Sequence, residues 1–135
     1  MRTIKFRGKA SHNGEWLYGD LINIHCEYHI LGEDDMREDG HHVTQDSDRP
    51  TWVEPDTIGQ FTGLYDKNGK EIYEGDILKA GDSGLLEVRF VRGVFAFLWG
   101  GNLDDEFPTG SPTHEWAEVI DNIHDNPNLL ENEKD

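Results

Sequence analysis

Apolar and polar residues alternate with a period of two in several short runs separated by glycine-bearing turns, a pattern that predicts a mainly β protein. Ile4 and Phe6 share one face of a strand over 3–7. Residues 15–31 read as one or two strands, Glu15–Tyr18 and Asp20–Leu31. Thr51-Trp52-Val53 is a short strand that Pro55 ends, and Thr57–Leu64 and Lys70–Tyr73 flank a turn. Asp76–Ala80 is a strand, followed by a turn at Gly81–Gly84. Leu86, Val88 and Phe90 then alternate with Glu87 and Arg89. Beyond the Arg92-Gly93 turn, Val94–Trp99 is apolar on both faces and predicts a buried central strand. Trp116–Ile123 fits a short strand or helix. Asn126-Pro127 has the form of a cap followed by a first-turn proline, starting one helical turn with Leu129 and Leu130.

One stretch of this pattern occurs twice. Phe6-Arg7-Gly8, Asn13-Gly14 and Tyr18-Gly19-Asp20 return as Phe61-Thr62-Gly63, Asn68-Gly69 and Tyr73-Glu74-Gly75-Asp76, with equal spacing except for the added Glu74. The duplication predicts similar hairpins over Phe6–Ile22 and Phe61–Leu78. Each would turn at Asn-Gly, the pair that suits a type I′ turn because both central residues need positive φ. Each Gly-Asp would then break the chain, with the aspartate accepting hydrogen bonds from nearby backbone N–H groups.

Composition adds constraints. Of 135 residues, 35% are hydrophobic and 14 are aromatic, which favours a folded core over disorder. No apolar run reaches the length of a membrane span, and the first residues alternate in the way of a strand, unlike a signal peptide. The single cysteine, Cys26, cannot form an internal disulfide, and a cytoplasmic protein is expected. The net charge of −16 opposes generic nucleic-acid binding. That charge is uneven. Residues 1–10 hold the cations Arg2, Lys5, Arg7 and Lys9 and no anion, whereas residues 33–56 hold nine carboxylates and residues 104–135 hold ten. The acidic stretch 32–50 reads as an exposed, mobile loop. An acidic dimer held partly by the N-terminal cations is expected, with unpaired sheet edges as a second cause.

Candidate chemistry is sparse. His25, Cys26 and His29 are weighed as metal ligands, with His41 and His42 nearby in sequence. Alternation puts His25 and His29 on one strand face and Cys26 on the other, which splits a zinc set that needs three or four convergent donors. The acidic run Glu33–Asp39 lacks the ligand spacing of an EF-hand. No nucleophile elbow or phosphate-cradling loop occurs, and no catalytic residue or cofactor is assigned. Among the aromatics, Trp52, Phe107 and Trp116 flank loops and are the candidates for a protein-binding surface.

Three stretches resemble the YopX-like family of phage and prophage proteins. They are Ile4–Lys9 with Gly14–Leu21, Thr57–Leu64 with Asp66–Ile77, and Glu118–Pro127 with Leu129-Leu130. The resemblance implies a single domain, 1–135, of mainly β structure with a small SH3-like barrel in its C-terminal half, over Glu74 to about Trp99. The sub-lobes would be 1–56, holding the N-terminal hairpin and acidic loop, 57–125, holding the barrel, and 126–135, holding the helical turn and tail. It implies no catalytic activity. The expected function is that of an accessory protein acting through protein–protein contacts with a host or phage partner. Two alternatives stand beside it: an acidic decoy that mimics nucleic acid, and, more weakly, a metal-dependent hydrolase using His25, His29 and the acidic loop.

Overall fold

The computed structural model of the chain describes residues 3–24, 27–32, 51–81, 84–102, 106–108 and 116–130. The acidic stretch 33–50 and the tail 131–135 lie outside them. The chain divides into two compact units, Met1–Gln60 and Phe61–Asp135.

In the N-terminal unit, β1 (Phe6–Lys9) pairs with β2 (Trp16–Ile24), β2 with β3 (Glu27–Gly32), and β3 with β4 (Thr51–Trp52), all antiparallel. A 3-10 turn, Pro55–Thr57, leads into β5 (Gly59–Tyr65), whose first residues Gly59 and Gln60 lie on the free side of β1. Just past β4, Val53 bridges to Ala10 and donates its N–H to the Tyr28 carbonyl. The segment after β4 is therefore hydrogen-bonded toward β3 on one side and toward the end of β1 on the other. Alternation puts Ala10, Ile30 and Val53 on the inner face, where all three are buried.

In the C-terminal unit, the rest of β5 pairs with β6 (Glu71–Tyr73), and Phe61 stacks on Tyr65 and Tyr73 at 5.6 and 5.5 Å. Then β7 (Asp76–Lys79), β8 (Leu85–Val91), β9 (Val94–Trp99), β10 (Glu106–Pro108) and β11 (Glu118–Asn122) form an antiparallel sheet in the order β10-β9-β8-β7-β11. One sheet face carries the main core: Leu78, Leu86, Val88 and Phe97, joined by Ile72, Ala80, Ala117 and Val119. As alternation and apolarity require, β9 is central and buried from Ala96 to Leu98. Among the described residues, helix is confined to the Pro55–Thr57 turn and to the short turn holding Leu129 and Leu130.

The mainly β architecture is thus as the pattern predicts, and four finer expectations have local outcomes, two of them different from the pattern. First, β10 and β11 sit at the two edges of the C-terminal sheet, and no ladder among the described residues closes it into a barrel. Second, neither Asn-Gly forms a type I′ turn. Among the described residues Arg92 is the one non-glycine with positive φ, so Asn13 and Asn68 are not left-handed. The first hairpin closes through Ala10 and Glu15 around four residues, with the Asn13 side chain accepting from the Glu15 N–H. The second closes through Asp66 and Lys70 around three. The type I′ geometry falls instead at Arg92-Gly93, φ 50° and 83°, between the paired Val91 and Val94. Third, Gly-Asp breaks the chain once. Asp20 is exposed within β2, which runs straight through it. Asp76 is buried and accepts the Tyr73 N–H at 2.7 Å, closing the turn between β6 and β7 that Glu74 makes room for. Fourth, Trp116–Ile123 resolves as the strand β11.

Candidate functional site

The second face of the C-terminal sheet carries an unexpected polar pair. Register sets Glu87 between Ile77 and Leu98, two residues with no solvent exposure, and Glu87 itself is only 3% exposed. Two residues along the same strand face, Arg89 holds it from the side. Nε donates to Oε2 at 2.8 Å and Nη2 donates to Oε1 at 2.9 Å. Fork-to-carboxylate geometry of this kind is the strongest form of a charged hydrogen bond. Even so, a pair this desolvated contributes little stability compared with apolar side chains of the same volume.

The segment after β9 and the C-terminal turn build the walls. Gly100, Gly101, Ile123, Pro127 and Leu130 line the space beside the pair, with Leu130 close to Gly101. Together with Glu87 and Arg89 they enclose a cleft of about 310 Å³, at the lower end of ligand-site volumes. Glycine is required at 101. Its φ is +77°, and a Cβ there would meet Glu87 Oε1 at 2.9 Å and Leu130 Cδ1 at 3.2 Å. Behind the wall, Asn122 fixes the turn that follows β11: its Oδ1 accepts the N–H groups of His124 and Asp125, and Ile123 donates to the Gly75 carbonyl. The cleft is thus rigid on the strand side and set by turn chemistry on the other.

A second polar centre in the same unit is structural. The buried Asp66 accepts N–H groups from Asn68 at 2.8 Å, Lys70 at 2.9 Å and Val119 at 2.9 Å, tying the β5–β6 turn to β11. Burial pushes its carboxyl up, but the three backbone donors and the Lys70 charge outweigh burial and hold it below the usual aspartate range.

In the N-terminal unit the register places Trp52 and Tyr18 on the same outer sheet face, opposite Ala10, Ile30 and Val53. They are 54% and 41% exposed. On that face Arg7 lies 4.6 Å over the Trp16 ring and Lys9 lies 5.5 Å from it.

Of the residues singled out in the sequence, Trp52 is the most exposed aromatic of the described chain. Trp116 is half-buried and packs against the main core. Phe107 lies in β10 opposite Phe97, its side chain outside the description. His25 also falls outside the described residues. His29 is in β3 opposite Trp52 and Ile22, its side chain again outside the description. Among the described residues no group of three or more His, Cys, Asp or Glu side chains converges as a metal site. No helix is long and apolar enough to cross a membrane.

Sequence reasoning missed the Glu87–Arg89 cleft because the alternation of Glu87 and Arg89 with apolar residues does not by itself show what covers their face. The available signal was the pair Gly100-Gly101 after the central strand, together with Leu129-Leu130 needing a surface to cover.

The comparisons with known proteins agree with this architecture. The family model described as YopX protein matches residues 5–131. The crystal structure of protein EF1440 from Enterococcus faecalis is similar, with TM-score 0.55 and 22% identity over 96% of this chain and 99% of that one. At that identity the likeness is one of fold. No curated protein matches the chain significantly.

Proposed function

The chain belongs to the YopX protein family, and from that premise we propose that it is a phage or prophage accessory protein that works in the bacterial cytoplasm through protein–protein contacts. The observation that carries this reading is the outward face of the N-terminal sheet, on which Trp52 and Tyr18 are both exposed. Large aromatics are enriched at the centres of protein interfaces, where they bury much area with few rotatable bonds.

The same reading covers the scaffold. In β10-β9-β8-β7-β11 the last strand returns to lie beside the first, and β4-β3-β2-β1-β5 has that order too, with a 3-10 turn before its last strand. This supports regarding the C-terminal sheet as an opened SH3-like barrel and the N-terminal one as a relative of it. Small β folds of this kind serve as platforms whose function lies in grafted surface sites. Affinity capture from lysogenic or infected cells tests the proposal. Wild-type protein is expected to retain a discrete partner that Trp52→Ala with Tyr18→Ala releases, while circular dichroism of the variant stays unchanged. Equal retention by the folded variant would move the contact off this face.

A further inference from the structure

We infer that the Glu87–Arg89 cleft is a docking site for a neutral, apolar side chain of a partner protein, whose main-chain carbonyl is received by Arg89. The inference rests on the contact reading above for the nature of the occupant, and on the cleft itself for its chemistry. Glu87 engages the guanidinium through Nε and Nη2. Nη1 has no acceptor among the described residues, and Arg89 remains 39% exposed where it lines the cleft. The site therefore offers hydrogen-bond donors outward. It does not offer net positive charge, because the Glu87 carboxylate cancels that of Arg89 at 2.8 Å. The chain's −16 further penalises an incoming anion. A neutral acceptor fits that balance.

The walls supply the rest. Ile123, Pro127 and Leu130 are apolar, and Gly100 and Gly101 bring no side chain into the cleft. A carbonyl adjoining an aliphatic or aromatic side chain is what a polypeptide presents at each apolar residue. The proximity of a fixed donor and an apolar wall is a small version of the polar-anchor-in-apolar-pocket arrangement of ligand sites. The cost of burying Glu87 is then explained by Arg89: the buried carboxylate fixes the guanidinium that lines the cleft.

Titration of the isotope-labelled full chain with N-acetyl-leucine-N-methylamide, followed by NMR, tests this. Saturable shifts are expected at the amides of Gly100, Gly101, Ile123 and Leu130. N-acetyl-leucine, which carries a carboxylate, is expected to bind at least about tenfold more weakly, about 1.4 kcal/mol. The variant Glu87→Leu/Arg89→Leu removes both charges and is expected to keep the fold and lose the shifts. Should it fail to fold, Arg89→Lys serves instead; it keeps a charge beside Glu87 but lacks the outer donor edge, and is expected to weaken binding about tenfold. Tighter binding of the carboxylate, shifts confined to other residues, no saturable shift, or undiminished binding by either folded variant would overturn the inference. Trp52→Ala is expected to bind the amide as wild type does, so a failure at the N-terminal face and a failure at the cleft are separately visible.

Discussion

Single residues decide the local geometry of this chain, and the buried aspartate at 66 is the clearest instance. Its carboxylate accepts three backbone N–H groups, and that of Val119 is buried and would otherwise lack an acceptor. Asp66→Asn cannot accept from both sides at once and is expected to cost about 1–3 kcal/mol in denaturant titrations. The carboxyl is held below its ordinary value, so its contribution is complete above the unfolded aspartate value of about 4 and is lost as pH falls through the lower folded value. Wild type is therefore expected to lose stability below about pH 4 more steeply than Asp66→Asn, as read from thermal midpoints across an acid series. Glycines provide a second residue-scale test. At Gly93, φ +83°, an added Cβ meets nothing within 4 Å, so Gly93→Ala is expected to cost only the backbone strain of about 1–2 kcal/mol. Gly101→Ala adds the collision with Glu87 Oε1 and is expected to lose about 1–3 kcal/mol more. Equal losses at the two positions would mean that the cleft wall yields. Asp66 was readable as a turn former, but its bond to Val119 spans 53 positions and has no local signature. Glu87 was missed for a related reason: the Glu/Arg alternation is real, and only the C-terminal turn, remote in sequence, makes that strand face an interior one.

Among the elements, hairpins show how far repeated sequence dictates repeated structure. Both Asn-Gly copies lie in turns between antiparallel strands, yet the loops differ by one residue and neither asparagine is left-handed. The identical residues were visible; the closing pair that sets loop length was not, because it depends on cross-strand register. Since the glycine and not the asparagine holds positive φ, Gly69→Ala is expected to destabilise by about 1 kcal/mol or more, and Asn68→Ala by less than about 0.5 kcal/mol, in thermal melts. The reverse order would restore a type I′ assignment. Strand periodicity was the most legible feature. It located β7, β8 and β9 to within a residue or two and identified β9 as central, because a strand apolar on both faces has nowhere else to go. The strand-order likeness was not legible. It relates β1–β5 to β7–β11, whereas the sequence copy relates the β1–β2 region to the β5–β6 region.

For the whole molecule, charge and edges bear on association. We propose a dimer, and the structure changes its expected cause. Arg7 is 5% exposed and, with Lys9, faces the Trp16 ring, so these two cations are poorly placed for a screened, salt-sensitive contact. Sedimentation across a salt series is expected to show a dimer that persists at high salt, held by apolar surface; dissociation on adding salt would return the contact to exposed charge pairs. Composition made the acidic, β-rich character plain, while the placing of Trp52 and Tyr18 on one outward face required the register across the sheet. The central claim, that this protein works through contacts made by its exposed aromatic face, is tested most directly by hydrogen exchange on the chain bound to the partner it captures. The account expects slowed exchange over Trp16–Asp20 and Thr51–Val53 relative to the unbound chain. Unchanged exchange in both segments, with protection elsewhere, would contradict it.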